Sequence, residues 1–209
     1  MNHVEETVRR YPVLAPLRAV IESAYRALEA CYASGGKLLV CGNGGSAADS
    51  DHIVGELMKG YLRPRPVPAE FAGRLRQADP SLGPLLAESL QGALPAVNLT
   101  AGAALLSAFG NDVRPDLAYA QAAWGHGRPG DVLLGISTSG NASNVRSALV
   151  VGRAAGLVTI GLTGRTGGKM AGLCDILLAV PADRTWEIQE LHLPIYHCLC
   201  AMVEERFFP

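Results

Sequence analysis

Two stretches of the chain concentrate side chains that could move a proton or hold a metal. In "LLVCGNGGSAADSDHIVGE", residues 38–56, His52 and Glu56 stand four apart, which puts them on one face of a helix. An imidazole and a carboxylate at that spacing form either a surface hydrogen bond or an acid/base pair. In "TWEIQELHLPIYHCLCAMVEE", residues 185–205, Gln189, Glu190, His192 and His197 are set among apolar residues. Polar groups on a mostly buried helix need partners. Packed beside the first stretch, they would suit proton transfer or a metal. Gln189 and His197 are eight residues apart, so on a straight helix they diverge by about 80° and roughly 12 Å. Pro194 lies between them and is expected to bend the segment by removing a backbone N–H.

Two further stretches look built for an anion. "GNGGSA" at 42–47 satisfies the G-x-G-x-x-A dinucleotide pattern, a weak signal alone. The acidic residue that would hold a ribose should end a second strand about 20 positions on, where "LRPRPVP" stands instead. No GK[ST] follows, which disposes of a P-loop. What remains is a turn whose backbone N–H groups, with the Ser46 hydroxyl, point at an anion. A second hydroxyl-rich turn runs from Ser137 through Thr138 and Ser139 to Asn141. Turns at the C-terminal ends of parallel strands converge on one crevice. Neither loop contains Lys or Arg, so neutral donors and dipoles would hold a small phosphorylated metabolite. The plainer alternative is that these hydroxyls only cap helices.

The elements that must position these residues alternate. An amphipathic helix at 13–33 ends at "SGG"; strand "KLLVCG" leads through the first loop to a helix from Ser46 to Tyr61. Residues 62–93 open with three prolines in seven residues and read as an inserted, extended segment with one or two short helices. Then come strand "LPAVNLT", helix "AGAALLSAF", the turn "GND" at 110–112 and a helix through Trp124. Strand "GDVLLGIS", helix 143–155, strand "VTIGLTG", loop "RTGGKMAG", strand "DILLAV" and a terminal helix over 186–207 complete the pattern. Such alternation predicts a parallel sheet with helices on both faces, in a single domain over 1–209.

Composition narrows the function. The chain has 209 residues, 49% of them hydrophobic, enough for a large core. With 18 basic and 19 acidic side chains it offers no field for nucleic acid or an anionic membrane. No apolar run of 18 residues and no signal-peptide pattern is present, so a soluble intracellular protein is expected. The five cysteines form no CxxC pair and read as reduced, buried thiols. His3 and His126 are expected in solvent, His192 in the core or an interface, and Trp124, Trp186 and the tyrosines in packing.

Taken together, "CGNGGSAADSDHIVGEL", "GND", "GISTSGNASNV", "LTGRTGGKMAGLCD" and "IQELHLPIYH" resemble the phosphoheptose isomerases of the sugar isomerase (SIS) fold, in that family's order from about residue 15 to 205. The resemblance implies a flavodoxin-like α/β/α three-layer sandwich with long N- and C-terminal helices. It also implies a cytoplasmic homotetramer with active sites between subunits, converting sedoheptulose 7-phosphate to glycero-manno-heptose 7-phosphate. Carried over by motif, Asn43, Gly44, Gly45 and Ser46 contact the sugar phosphate, Asn111 and Asp112 the sugar, and Ser137, Thr138 and Ser139 the phosphate. Glu56 and His197 match the acid/base pair, with Glu56 and Gln189 also at the substrate. His52, Glu56, Gln189 and His197 match a zinc site of some members. Ala142 departs from the pattern, standing where a phosphate-binding serine is usual. The competing expectations are an isomerase of another sugar phosphate and a non-catalytic SIS module that binds a sugar phosphate or a protein.

Overall fold

The computed structural model describes residues 2–209. Its sheet has five parallel strands: β1 (Leu38–Cys41), β2 (Ala96–Asn98), β3 (Val132–Ser137), β4 (Val158–Thr163) and β5 (Ile176–Ala179), in the order β2-β1-β3-β4-β5. This is the flavodoxin-like order, whose crevice opens where β1 meets β3. Both strands are buried along their whole length, because helices cover both faces.

Alternate strand residues feed two cores. Leu38, Val40, Val132, Leu134 and Ile136 pack with Ile21 and Leu28 of α2 (Arg18–Ala33), Ile53 and Leu57 of α3 (Gly45–Met58), and Ile195 and Leu199 of α9 (Thr185–Phe207). Leu39, Cys41 and Leu133 face the other way. They meet Ala122 and Ala123 of α7 (Ala118–His126) and Val145 and Leu149 of α8 (Ser143–Ala154). The expected three-layer α/β/α arrangement results.

Local chemistry moves several boundaries. A helix not foreseen, α1 (His3–Arg10), forms because the Asn2 side chain caps it, accepting from the Glu5 amide at 3.1 Å. The segment Pro12–Leu17 is 3-10 rather than α-helical, with Pro16 inside it. "GND" at 110–112 is the last turn of α6 (Ala103–Asp112), not a separate turn. His3, expected in solvent, is half-buried and bonded to Glu205 Oε2 at 3.0 Å. Trp124 and Trp186, expected in packing, are 63% and 54% exposed, so neither contributes to this chain's core.

The inserted segment carries α4 (Ala69–Ala78) and α5 (Gly83–Ser89). Its root is pinned by a fully buried ion pair, Arg65 Nε to Glu204 Oε1 at 2.7 Å. Glu204 also accepts from the Tyr61 and Leu62 amides, while Arg65 donates to the carbonyls of Leu57 and Glu56 at 2.7 and 3.1 Å. Every buried polar group in this knot is therefore satisfied, which is the condition for a buried charge pair to persist. The knot ties the end of α3 to α9. All five cysteines are free, and burial pushes Cys41 and Cys200 up to about 12, which keeps them inert as thiols. No helix among the described residues is long and apolar enough to cross a membrane.

Candidate active site

At the mouth between β1 and β3, a cavity of about 350 Å³ is lined by Asn43, Gly44, Gly45, Ser46, Ser137, Thr138, Ser139, Ala142, Thr185 and Gln189. Three helices begin on its wall: α3 at Gly45, α8 after Ala142 and α9 at Thr185. The first amides of a helix have no intrahelical acceptor and carry the positive end of its dipole. Three such ends plus hydroxyls make a neutral-walled receptor for a phosphate group. Asn43, Gly44, Gly45, Ser46, Ser137, Thr138 and Ser139 of the two loops lie here, and Asn141 does not.

The loops hold one another. Asn43 Nδ2 donates to Asn144 Oδ1 and Asn144 Nδ2 donates back to Asn43 Oδ1, both at 2.9 Å. The Tyr119 hydroxyl donates to the Gly42 carbonyl at 3.0 Å from behind. Gly140 adopts φ +64°, and a Cβ there would collide with the Gly167 carbonyl, so the hydroxyl turn is locked against the 164–168 loop. The Gln189 amide presses on the first loop so closely that a Cβ on Gly45 would strike it. At Ala142 the crevice meets only a methyl group. The neighbouring Ser143 is exposed and is absent from the cavity wall, so no hydroxyl of 142–143 lines the crevice.

A second cluster joins α3 to α9. His52 Nε2 stands 3.3 Å from Glu56 Oε1 and 3.4 Å from His197 Nε2. Lys59 Nζ holds the other Glu56 oxygen at 2.7 Å. Burial pushes His197 below its ordinary value, assisted by His52 and Arg10 and opposed by Glu56, so its ring is neutral near pH 7. His197 also lines a cavity of about 420 Å³ with Arg10, Tyr11 and Tyr61. The predicted pair Glu56 and His197 is thus brought together with His52. Gln189, by contrast, lines the phosphate crevice on the same α9, which runs unbroken through Pro194.

The cluster itself offers donors of a type zinc accepts, two imidazole nitrogens and a carboxylate, while the amide oxygen of Gln189 is not among them. The two nitrogen-centred spacings of 3.3 and 3.4 Å match the edge of a tetrahedron whose bonds are about 2.0–2.1 Å. Among the described residues no three His, Cys, Asp or Glu side chains are grouped so as to hold a metal ion, and one Glu56 oxygen is taken by Lys59.

Asn111 and Asp112 are not brought to either cavity. They sit exposed at the end of α6, bonded to each other at 2.9 Å, on a helix with no buried residue. Sequence reasoning missed Asn144, Thr185 and Tyr196. Thr185 was legible as the hydroxyl opening the terminal helix, whereas the pairing of Asn144 with Asn43 spans 101 residues and left no local signal.

A five-stranded parallel sheet in this order, with helices on both faces, is the fold of the sugar isomerase domain class. The sugar isomerase domain of an RpiR transcription factor from Sphaerobacter thermophilus shares the fold alone, with a TM-score of 0.51 and 19% identity over 90% of this chain and 78% of that one. No family model matches the chain. A phosphoheptose isomerase of Aneurinibacillus thermoaerophilus is 37% identical over 211 residues, covering 99% of this chain and 93% of the relative. The structure of phosphoheptose isomerase from Neisseria gonorrhoeae superposes with a TM-score of 0.75 at 34% identity, covering 97% and 95% of the two chains. The chain belongs to the phosphoheptose isomerase family.

Proposed function

We propose that the protein isomerises sedoheptulose 7-phosphate to D-glycero-D-manno-heptose 7-phosphate through an enediol. The observation that carries this is that the same two helices, α3 and α9, wall the neutral crevice with Gly45, Ser46, Thr185 and Gln189 and carry the Glu56–His52–His197 cluster. The phosphate seats in the crevice against Asn43, Gly44, Gly45, Ser46, Ser137, Thr138 and Ser139, with Gln189 closing one side. Glu56 removes the proton from C1 of the ketose, giving the enediol, and returns a proton to C2. His197, neutral and protonated at one nitrogen, gives a proton to O2 and takes one from O1. Charges then balance without a free ion in the site.

Of the four expected zinc ligands, His52, Glu56 and His197 share one cluster while Gln189 faces the other crevice; only with Gln189 turned toward the other three would the four hold a zinc ion, which when bound supplies Lewis-acid polarisation of the carbonyl. A carboxylate occupied by a metal is a poorer base, so the two roles of Glu56 compete. The assembly we propose is a homotetramer with active sites between subunits. The unburied α6 and the exposed Trp124 favour it, and a neighbouring subunit would bring Asn111 and Asp112 to the sugar. Free thiols throughout suit a cytoplasmic location.

The test is incubation with sedoheptulose 7-phosphate, with and without chelator and added zinc, following the aldose. Turnover abolished by chelator and restored by zinc supports metal-assisted isomerisation, and turnover indifferent to chelator leaves the Glu56/His197 pair acting alone. Ala142 in the crevice favours one second reading, an isomerase of another sugar phosphate, which a panel of ketose phosphates would reveal.

A further inference from the structure

The phosphate crevice has no cation in its wall, yet two unpaired cations stand at its rim. The loop from Gly164 to Lys169 is stitched between the hydroxyl turn and the start of α9. On one side the Gly164 amide donates to the Thr138 carbonyl at 2.9 Å and the Lys169 amide to Asn141 Oδ1 at 3.1 Å. On the other, the Arg165 amide donates to the Ala182 carbonyl at 3.1 Å, and its guanidinium donates to both Asp183 oxygens at 3.1 Å and to the Pro181 carbonyl at 2.8 Å. Lys169 is thereby held beside the turn that supplies Ser137, Thr138 and Ser139, and Arg184 immediately precedes Thr185, itself a wall residue. Both side chains are exposed, and among the described residues neither makes an ion pair or a side-chain hydrogen bond. The carboxylate of Asp183 is already matched by Arg165, and Glu187 in the first turn of α9 is not ion-paired with Arg184.

We propose that Arg184 and Lys169 form a cationic rim that draws the substrate's phosphate into the crevice and sets its preference for a dianion. The inference rests on the phosphate crevice of the isomerase reading and adds the charge that the walls lack. A phosphate monoester carries about 1.5 to 2 negative charges near neutrality. Helix ends and hydroxyls give it directional hydrogen bonds, but the field of a helix end fades within a turn. A full charge at an exposed rim acts over a Debye length, roughly 8–10 Å, so it speeds capture without touching the chemistry. With 18 basic and 19 acidic side chains the chain as a whole has almost no net charge, which leaves the steering to local cations. Arg165 is neutralised by Asp183, and Arg184 and Lys169 remain.

The test titrates the full chain with inorganic phosphate by calorimetry at about 20 and about 200 mM sodium chloride, with ketose phosphate turnover followed in parallel. Arg184→Ala and Lys169→Ala are each expected to weaken phosphate binding roughly 3- to 10-fold at low salt and to flatten its salt dependence, and the double variant to lose most of that dependence. In turnover the same variants should raise KM by similar factors with kcat retained. Arg184→Lys, which keeps the charge, should recover most of the loss. Arg74→Ala removes an exposed charge on α4 and should match wild type. Phosphate affinity and salt dependence equal to wild type in the double variant overturn the rim. Failure of phosphate to bind wild type overturns the crevice and the rim with it. Rim-dependent phosphate binding without turnover upholds the rim and strikes only at the isomerase assignment.

Discussion

Asn43 and Asn144 exchange a reciprocal pair of amide hydrogen bonds, each 2.9 Å, across the mouth of the sheet. The pair joins the loop after β1 to the first turn of α8, so the two halves of the phosphate crevice are set by one contact.

Because each amide serves the other, removing either should cost what removing both costs. Asn43→Ala and Asn144→Ala are each expected to raise KM roughly 5- to 30-fold, the value of one to two lost hydrogen bonds. The double variant should be no worse than the weaker single variant. Additive losses in steady-state kinetics would show that the two asparagines act separately.

Ala142 leaves the crevice one hydroxyl poorer. Ala142→Ser places a donor at the start of α8, where the backbone already has the non-helical conformation of a capping residue, φ −57° and ψ 118°. The expected gain is about 1 kcal/mol of phosphate binding, or roughly fivefold in KM, with kcat unchanged. An unchanged or raised KM across the ketose phosphate panel would mean that the methyl group is itself part of the specificity.

For the acid/base pair, Glu56→Gln and His197→Asn should each lower kcat roughly 10²- to 10⁴-fold with little change in KM. In deuterated water the wild-type product should carry deuterium at C2. Solvent label absent from the product would exclude Glu56 as a base that exchanges its proton with water. Because His197 is held below its ordinary value by burial, the acid limb of kcat against pH should fall below the usual histidine range.

His192 offers a stability test away from the chemistry. Its ring is fully buried with no side-chain partner, and burial pushes it down to about 4, opposed by the Thr163 backbone beside it. Between pH 6.5 and 4 the unfolded chain takes up a proton at this residue while the folded chain does not. The stability it contributes is therefore complete above 6.5 and is lost as pH falls through that window. Urea unfolding at pH 8 and pH 4.5 should show His192→Leu losing less stability than wild type, by on the order of 2–3 kcal/mol. Equal losses would show that the Thr163 backbone holds the His192 proton well enough to cancel the effect of burial.

The sequence by itself determined the sheet and its crevice, because both are local. Apolar runs such as "KLLVCG" and "GDVLLGIS" must be covered on both faces, and loops at their C-terminal ends must face one another. His52 and Glu56 share a face by helical spacing alone. Tertiary structure decided the rest, since it depends on pairings between distant segments. It set Asn144 against Asn43, Tyr196 between Asp49 and His52, and the Arg65–Glu204 knot at the root of the insertion. It also put Gln189 in the phosphate crevice while His197 faced another cavity, and left both tryptophans exposed. Periodicity reports which face of an element is buried, but it carries no record of which side chain on another element will meet a given polar atom.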